Sequence, residues 1–588
     1  MMTIAKSLSL GIVLIIGCQS TPPSPGGAVR YSEGHLDFAN YHGNKNCCVS
    51  QGKKIAIASG GTHSSRAGLD IYNAGGNLVD AAVATAFALA VETPQSTGLG
   101  GGGFLLMHQK KKGEDVFLDF RETAPHLATE KMYQNKKGEI IKGLSTDGVL
   151  GVATPGYVAG FYEVHSKHGK LPWSQVLAPA IRLAEEGFKI YPLLSTDIKE
   201  KSEKLLKDPM IAKIFFRKGK PLAPGELLIQ KDLAKTLKLI AQNGRRGFYE
   251  GPVAKAIVGH VQKKQGILRE KDLEHYSVRY REPIRVRFAD LEVLSAPPPS
   301  AGGVLIAQML GVLDHYDLKK ISSQSAADYY HLLAEAMKRA YADRSEYIGD
   351  PDFVTTGYEK LMSTEHVNQL VDSINPAKAT PSASLKPTAV NPTGGNHTTQ
   401  MTLMNEVGDV ITSTLTINTG FGSGVMVPGT GIILNNEMDD FSSKPGEANA
   451  YGLTGGKANA IAPNKRPVSS MSPTIVLRDS EAVFASGAAG GSRIITTVMQ
   501  ILLNDFIVFE GNLKHSVFAP RVHHQWLEDR LEVEGKGIEP AVLEALKQKG
   551  HEIVEAPYPV ISQTVHRTRQ GELISVSDPR DEGGAIAE

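Results

Sequence analysis

The residues with the clearest potential for catalysis are His397, Thr398 and Thr399, which follow a proline-rich stretch and begin a candidate strand. A threonine hydroxyl in such a place can attack the carbonyl carbon before it, and hydrolysis of the resulting ester would free Thr398 as a new N-terminus. A free α-amino group has a pKa of about 7.7–8.0, so near neutral pH it can take the proton of its own hydroxyl. From the spacing alone, Thr398 could also be an ordinary strand threonine.

Other groupings of reactive residues do not form a convincing site. The glycine run at 100–103 indicates a backbone that passes closely under a neighbour, but it lacks the Lys-Ser/Thr of a phosphate loop. His523 and His524 would face opposite sides of a strand, and no other ligands cluster near them, so we expect core or surface histidines rather than a metal site. Cys47 and Cys48 are adjacent, and adjacent cysteines bridge each other only with strain. We interpret them as structurally minor residues or free thiols.

The elements that must position Thr398 are two predicted strands. Thr398–Asn405 and Val410–Asn418 have the alternation of strands and are joined by a turn at residues 406–409. On the second strand Thr412, Thr414, Thr416 and Asn418 share one face. Such a polar row usually faces solvent, but here it runs back beside Thr398.

Helices are predicted before this strand pair. Leu78–Val91 is rich in alanine almost all round, is capped by Asn77, and should be buried. A strand is predicted to end at residues 119–121. After Asn375 the sequence loses periodicity and gains proline, which predicts an exposed, flexible segment. The other predicted helices are Ala67–Asn73, Trp173–Glu186, Asp232–Gln242, Pro252–Lys264 and Ser325–Tyr347.

The composition is that of an ordinary globular protein. The 588 residues include 63 Lys and Arg and 62 Asp and Glu, which give a net charge of +1. This balance argues against a nucleic-acid partner, because such proteins carry clustered positive charge. Three cysteines cannot form a disulfide scaffold.

The N-terminus has the features of an export signal. Lys6 precedes an apolar run at residues 8–16, which is too short to span a membrane. The run leads to Cys18 in a pattern that looks like a bacterial lipobox, so we expect residues 1–17 to be a signal peptide and Cys18 to be lipidated. Residues 18–50 would form a flexible tether. Because Gln19 follows the cysteine, we expect the lipidated protein to be anchored in the outer membrane and to face the periplasm. The alternative is an ordinary signal peptide that is cleaved to leave a soluble periplasmic protein.

Several blocks together resemble the γ-glutamyltranspeptidase (γ-glutamyltransferase/glutathione hydrolase) family of N-terminal nucleophile hydrolases, from about Ala56 to Arg580. The blocks are TTQMT at 398–402, TLTIN at 414–418, LNNEMDDFSSKPG at 434–446, NKRPVSSMSPTIV at 464–476 and GGSRIITTV at 490–498.

The resemblance implies a role for each matching residue. Thr398 corresponds to the nucleophile, and Thr416 to a hydroxyl that positions it. Gly490 and Gly491 correspond to the N–H pair that stabilises the oxyanion. The α-carboxylate of the substrate would be bound by Arg121, Ser469 and Ser470, its α-ammonium by Asn418, Glu437 and Asp440, and Tyr451 falls where a lid loop lies in some relatives.

The chain also departs from the family pattern at four positions. Gln400 replaces a histidine, Thr402 a serine and Ala489 a proline, while Asp409 follows the turn glycine. None of these changes removes a residue that touches substrate, so we expect them to alter the rate of processing or the stiffness of the oxyanion loop.

The family resemblance implies an α+β fold, a four-layer αββα sandwich made as one chain. The precursor would cut itself between His397 and Thr398 into a large subunit (residues 51–397 after the tether) and a small catalytic subunit (398–588), which remain a heterodimer. The substrates would be glutathione and related γ-glutamyl compounds, with water, amino acids or peptides as acceptors, and neither a metal nor an organic cofactor is expected. A cephalosporin (glutaryl) acylase, a poly-γ-glutamate hydrolase or an unprocessed, non-enzymatic surface lipoprotein are the alternatives.

Overall fold

The computed structural model describes residues 27–30, 48–355, 357–385, 398–444, 449–450, 453, 456–556, 558 and 560–588. Cys18, Cys47, His397, Tyr451 and the signal segment 1–17 lie outside these residues. None of the helices in the described ranges combines the length and apolarity needed to cross a membrane.

Two seven-stranded sheets form the centre of the molecule, and all pairings within them are antiparallel. We call them the first and the second sheet. The first sheet has the strand order Val49–Gly52, Leu573–Ser577, Ile561–Arg567, Glu481–Ala489, Thr474–Arg478, Leu291–Ser295 and Ile284–Phe288. The second sheet has the order Gly584–Ala587, Ile55–Ser59, Thr399–Asn405, Val410–Thr416, Gly102–Gln109, Glu114–Phe120 and Arg279–Arg281.

Helices cover the outer face of each sheet. Leu78–Glu92 packs on the second sheet, and Gly302–Leu313 and Arg493–Leu503 pack on the first. This order of layers confirms the αββα sandwich. The α-helices of the described residues are Thr62–Asn73, Leu78–Glu92, Tyr157–His168, Trp173–Glu186, Pro192–Glu200, Ser202–Leu205, Pro209–Phe215, Lys231–Asn243, Arg246–Tyr249, Gly251–Lys263, Glu270–Glu274, Gly302–Leu313, Leu318–Gln324, Ala326–Tyr347, Thr364–Asp372, Arg493–Leu503, Leu513–Phe518 and Pro540–Gln548.

The alanine-rich helix shows how local sequence builds this architecture. Asn77 Oδ1 accepts from the Asp80 N–H at 3.0 Å, and Asp80 Oδ2 accepts from the Asn77 N–H at 2.9 Å, which satisfies two donors at the helix start. All residues of Leu78–Glu92 are buried. Ile55 and Ile57 of the second sheet belong to the same apolar core as this helix, whereas Ala56 and Ala58 point to the core shared with the first sheet.

Two expectations from the sequence need correction. Most described residues of the segment after Asn375 are exposed, as predicted, but Ser382 is fully buried, and its N–H donates to Asp529 Oδ2 at 2.7 Å. Charged residues from distant parts of the chain bond Thr380 and Ser382, so the composition of the segment alone could not reveal these contacts. Cys48 is buried and disulfide-bonded, and is therefore not a free thiol.

His523 and His524 are both buried, as core histidines should be. Their rings have ordinary hydrogen-bond partners: His523 Nδ1 lies 2.9 Å from the Thr496 hydroxyl, and His524 Nε2 lies 3.3 Å from Asp529 Oδ1.

Candidate active site

The candidate nucleophile lies at the start of an inner strand of the second sheet. Thr398 directly precedes Thr399–Asn405 and is buried. Thr399 pairs with Leu415 of the neighbouring strand, so continuing the register places Thr398 opposite Thr416. The Thr416 hydroxyl accepts a hydrogen bond from the Asn418 N–H at 2.8 Å.

The polar row on the second strand faces inward, contrary to the usual orientation of such rows. Thr412, Thr414 and Thr416 are all buried between the two sheets. Gln400 links two of them: its amide nitrogen donates to Thr412 Oγ1 at 2.8 Å, and its oxygen accepts from the Thr414 hydroxyl at 2.6 Å. Because every polar group in this layer must find a partner away from water, the network fixes how the two strands pair beside Thr398.

The glycine run at 100–103 explains how a third strand approaches this pair. A Cβ added to Gly101 would lie 2.0 Å from the Thr416 carbonyl oxygen, and one on Gly103 would lie 2.4 Å from the Thr414 carbonyl oxygen. The predicted close passage of the backbone is therefore confirmed.

One pocket contains most of the residues predicted for the site. Its lining includes the predicted residues Arg121, Thr398, Thr416, Asn418, Glu437, Asp440, Ser469, Ser470 and Gly491. These residues come from distant positions in the chain, and only the packing of the two sheets brings them together. Their roles in catalysis remain predictions.

Arg121 is the most heavily bonded residue of the pocket. Its guanidinium donates to carboxylate oxygens of Glu437 and Asp440, to the Pro467 carbonyl at 3.3 Å and to the Val468 carbonyl at 3.1 Å. Burial alone would lower the pKa of Arg121, but the neighbouring carboxylates outweigh burial and raise it, so the group stays charged.

The pKa of Glu437, which Arg121 contacts, is also raised, but for a different reason. Burial is the largest influence on Glu437 and raises its pKa well above the ordinary range, although Arg121 opposes the shift. Asn418, which precedes these acids in the chain, adopts a φ of +73° and donates from its amide nitrogen to the Asn436 carbonyl at 2.9 Å. The pocket thus presents two arginines, Arg121 and Arg344, and two carboxyl groups within a buried space.

Of the two predicted oxyanion glycines, Gly491 lines the pocket, whereas its neighbour Gly490 is not among the lining residues. Gly490 and Gly491 follow the strand Glu481–Ala489 and have φ values of +147° and +60°. A Cβ on Gly490 would lie 2.8 Å from a methyl carbon of Val560, so this position requires glycine both for its backbone and for its space.

Sequence reasoning missed two charged residues at this site. Arg344, on the long helix Ala326–Tyr347, lines the pocket and is buried. Glu122 does not line the pocket but is fully buried, with its Oε2 3.9 Å from Arg121 Nη1. Its position next to Arg121 in the sequence was a usable signal, whereas nothing local distinguished Arg344 from the other arginines.

A separate cluster has ligand atoms that could suit a metal ion. Atoms of His331, Glu335 and His551 lie within 4.8 Å of one another. However, Glu335 already accepts hydrogen bonds from Lys338 and Arg339, and two neighbouring cations disfavour a third. We interpret this cluster as a structural ion-pair network.

Two stacked sheets between helical layers, with a buried threonine at the start of an inner strand, define the class of N-terminal nucleophile hydrolases. A family model described as Gamma-glutamyltranspeptidase matches residues 64–588. The chain therefore belongs to the γ-glutamyltranspeptidase family and is an enzyme of that family.

Individual relatives agree with this assignment. The chain is 43% identical over 529 residues to the glutathione hydrolase proenzyme of Escherichia coli (strain K12), with 90% of each chain covered. It is 38% identical over 518 residues to the acylase ACY 1 proenzyme of Pseudomonas sp. (strain SE83), covering 86% of this chain and 88% of that one. Among solved structures, cephalosporin acylase from Bacillus halodurans superposes with a TM-score of 0.80 at 29% identity, over 92% of this chain and 97% of that one.

Proposed function

We propose that this enzyme acts on γ-glutamyl compounds such as glutathione and uses Thr398 as its nucleophile. The observation that carries the proposal is the juxtaposition of Thr398 with Arg121, Glu437 and Asp440 in one buried pocket. The head of a γ-glutamyl group carries a carboxylate and an ammonium on one carbon, and this pocket offers an opposite charge for each.

The chemistry proceeds in two steps. The Thr398 hydroxyl oxygen attacks the γ-carbonyl carbon while the α-amino group of Thr398 takes the hydroxyl proton. The N–H groups of Gly490 and Gly491 stabilise the oxyanion. The C–N bond then breaks, and the amine leaves with the proton. Water, or the amine of an amino acid or peptide, attacks the γ-glutamyl ester and frees Thr398.

The same threonine creates the active enzyme by cutting the precursor between His397 and Thr398. The proenzyme names of the relatives support a maturation step of this kind. Both sheets contain strands from both sides of residue 398, so we expect the two subunits, with the small one spanning 398–588, to remain together as a heterodimer.

Substitution of Thr398 tests both roles of the residue. We expect Thr398→Ala to abolish self-cleavage and to abolish turnover of a γ-glutamyl anilide, because the variant has no hydroxyl to attack either carbonyl. Intact-mass spectrometry and the release of the anilide product are the measurements.

Thr399→Ala is the matched control, because the Thr399 hydroxyl lies on the other side of the strand against Gly60. This variant should still be cut. A purified wild-type protein with no fragment that begins at Thr398, or a Thr398→Ala protein that still turns over the anilide, would contradict the proposal.

The acylase relatives make glutaryl compounds the main competing substrates. A glutaryl group lacks the α-ammonium, so it would leave Glu437 and Asp440 without a substrate partner. Comparing kcat/KM for γ-glutamyl and glutaryl anilides decides between them, and a preference for the glutaryl substrate would overturn the choice made here. Poly-γ-glutamate is tested in the same way by its rate of release of glutamate.

We also infer that the enzyme is exported and anchored through a lipidated Cys18. The motif at residues 8–18 supports this inference, together with the proline- and serine-rich stretch that follows it. Cys18→Ser should move the enzyme from the membrane fraction to the soluble fraction without changing its kcat. An unchanged distribution would favour a cleaved signal peptide and a soluble periplasmic enzyme.

A further inference from the structure

Arg344 is a buried cation of the pocket that the mechanism above does not use. It lines the pocket together with Thr398 and Gly491, and only 8% of the residue is exposed. Among the described residues, no hydrogen bond or ion pair reaches its guanidinium, and its buried Nε atom has no acceptor. A buried cation without a partner is costly, and a ligand that brings an anion removes this cost.

The other arginine of the pocket is already compensated by the protein. Arg121 bonds the carboxylates of Glu437 and Asp440 and two backbone carbonyls. Asp440 also attracts Arg344, but its Oδ2 atom accepts from Arg121 and its Oδ1 atom accepts from the Asn449 amide at 3.1 Å. Burial lowers the pKa of Arg344, and its electrostatic neighbours do not outweigh this effect. Of the two arginines, Arg344 is therefore the one that lacks an anion.

The position of Arg344 indicates which part of a substrate it meets. The residue lies near the end of the helix Ala326–Tyr347, and Tyr341, one turn earlier, donates from its hydroxyl to the Ser492 carbonyl. Ser492 directly follows the two predicted oxyanion glycines. Arg344 is therefore held beside the oxyanion loop, whereas Arg121 directly follows a strand of the second sheet.

The charges of a γ-glutamyl substrate then suggest a ligand for each arginine. The γ-glutamyl head carries a single carboxylate, which the proposed function places on Arg121. The oxyanion loop binds the oxygen at the bond that breaks, so a side chain beside this loop can reach groups on the amine side of that bond. Glutathione carries its second carboxylate on that side, and a guanidinium suits a carboxylate because the two can form parallel hydrogen bonds.

We propose that Arg344 is a specificity-determining residue that binds a carboxylate on the amine side of the scissile bond. In the first step this is the terminal carboxylate of the leaving peptide, and in the second step it is the carboxylate of an amino-acid or peptide acceptor. The inference rests on the proposed function, since it takes Arg121 as the ligand of the donor head.

The test compares substrates that differ in this carboxylate. Glutathione and its C-terminal carboxamide share the head and the peptide, and γ-glutamyl anilide has no carboxylate beyond the scissile bond. Because the amide loses a charged hydrogen bond, we expect the wild-type kcat/KM to be roughly 10- to 100-fold higher for glutathione than for its amide.

Arg344→Met keeps the length of the side chain but removes its charge and its donors. This variant should abolish the preference for glutathione over its amide and leave kcat/KM for the anilide unchanged, and Arg344→Lys should restore part of the preference. In transfer reactions, glycylglycine should be a better acceptor than its amide with the wild type and no better with Arg344→Met.

Stability separates a ligand-binding role from a structural one. Since Arg344 has no bonded partner in the described part of the chain, the midpoint of urea unfolding should not fall in Arg344→Met. Arg182→Met is the control, because Arg182 is exposed on the helix Trp173–Glu186 and its loss should change the kinetics of neither substrate. Intact-mass spectrometry shows whether each variant is cut before Thr398.

Equal losses of kcat/KM with glutathione and with the anilide in Arg344→Met would overturn the proposal, because they would place Arg344 at the donor head or in the support of the fold. A wild-type enzyme that does not distinguish glutathione from its amide would also overturn it, and this comparison decides even if Arg344→Met is not cut. A wild-type enzyme that does not turn over γ-glutamyl anilide would instead contradict the proposed function.

Discussion

Arg121 illustrates how a single buried cation can organise a binding site. Its guanidinium bonds Glu437 and Asp440 directly, so the acids proposed to bind the donor ammonium are paired with the cation proposed to bind the donor carboxylate. A bound zwitterionic donor can replace these internal ion pairs, because its carboxylate can bind Arg121 while its ammonium binds Glu437 and Asp440. Removing the cation would leave buried carboxylates without compensation, a change that typically costs about 3–5 kcal/mol.

Because of that cost, Arg121→Lys is the informative substitution. Lysine keeps the positive charge but cannot present the fork of donors that reaches both acids and the Val468 carbonyl. We expect the donor KM to rise roughly 10- to 100-fold, with a smaller change in kcat, because about one charged hydrogen bond is lost in donor binding. Steady-state kinetics with a γ-glutamyl anilide gives both parameters.

Arg285→Lys is a matched control. Arg285 also bridges two acids, Asp115 at 2.6 Å and Glu292 at 3.2 Å, but it does not line the pocket. An equal rise in KM in both variants would show that the effect is general rather than due to the donor site.

At the scale of elements, three adjacent strands position the nucleophile. Gly102–Gln109 and Thr399–Asn405 pair with opposite edges of Val410–Thr416. Glycines allow the segment that leads into the first of these strands to approach the carbonyl of Thr416 closely. The distance between these backbones therefore sets where the Thr416 hydroxyl lies relative to Thr398.

Gly101→Ala tests this dependence on close packing. The new Cβ would meet the Thr416 carbonyl oxygen at 2.0 Å, so the backbone must shift. Overpacking of this kind typically costs about 1–3 kcal/mol, and we expect a loss of that size in the free energy of unfolding together with a lower kcat. Urea unfolding and anilide turnover are the two measurements.

Gly98 provides the control in the same loop, since a Cβ there would meet no heavy atom within 4 Å. We expect Gly98→Ala to change the free energy of unfolding by less than about 0.5 kcal/mol. A Gly101→Ala enzyme with wild-type stability and kcat would show that the close approach does not position Thr416.

For the whole molecule, an ion-pair network ties the segment before the proposed cleavage site to the remainder of the fold. Glu335, Lys338 and Arg339 lie on one helix and are buried. Glu335 accepts from the Thr380 N–H at 3.0 Å, and Lys338 donates to the Thr380 carbonyl. Ser382, two residues further on, bonds Asp529 and Trp526 on the other side of residue 398. This network would hold the two subunits together after cleavage.

The network predicts sensitivity to acid. Burial alone would raise the pKa of Glu335, but Lys338, the Thr380 N–H and Arg339 outweigh it and lower the pKa to about 2 from an ordinary 4.5. A depressed carboxyl pKa stabilises the fold above pH 4.5, and this contribution, on the order of 3 kcal/mol, disappears as the pH falls from 4.5 to 2. The free energy of unfolding in urea, measured against pH, should show this loss.

Glu335→Gln should be less stable than the wild type at pH 7, and the difference should shrink as the pH falls toward 2. Glu544→Gln is the control, because Glu544 is exposed on the helix Pro540–Gln548. A stability difference between Glu335→Gln and the wild type that is the same at pH 7 and pH 3 would contradict the role of this carboxylate.

The parts of the fold that depend on local pattern can be predicted from the amino-acid sequence alone. The cap at Asn77, the buried helix after it and the strand pair around residues 399–416 follow from residue type and period, and the structure confirms them. The blocks at 398–402, 414–418, 434–446, 464–476 and 490–498 together also identified the family without any tertiary information.

Which polar residues are buried together depends on how remote segments pack, and the sequence does not reveal it. The row at Thr412, Thr414 and Thr416 resembles a solvent-facing strand until a second sheet packs against it. Likewise, Glu122 is an ordinary acid in the sequence, and its pKa is raised by complete burial, to which Asp440, 318 positions further along the chain, adds. The physical reason is that hydrogen bonds and charges in a core depend on distances between segments that are remote in sequence, whereas helices, caps and strands depend on neighbours a few residues apart.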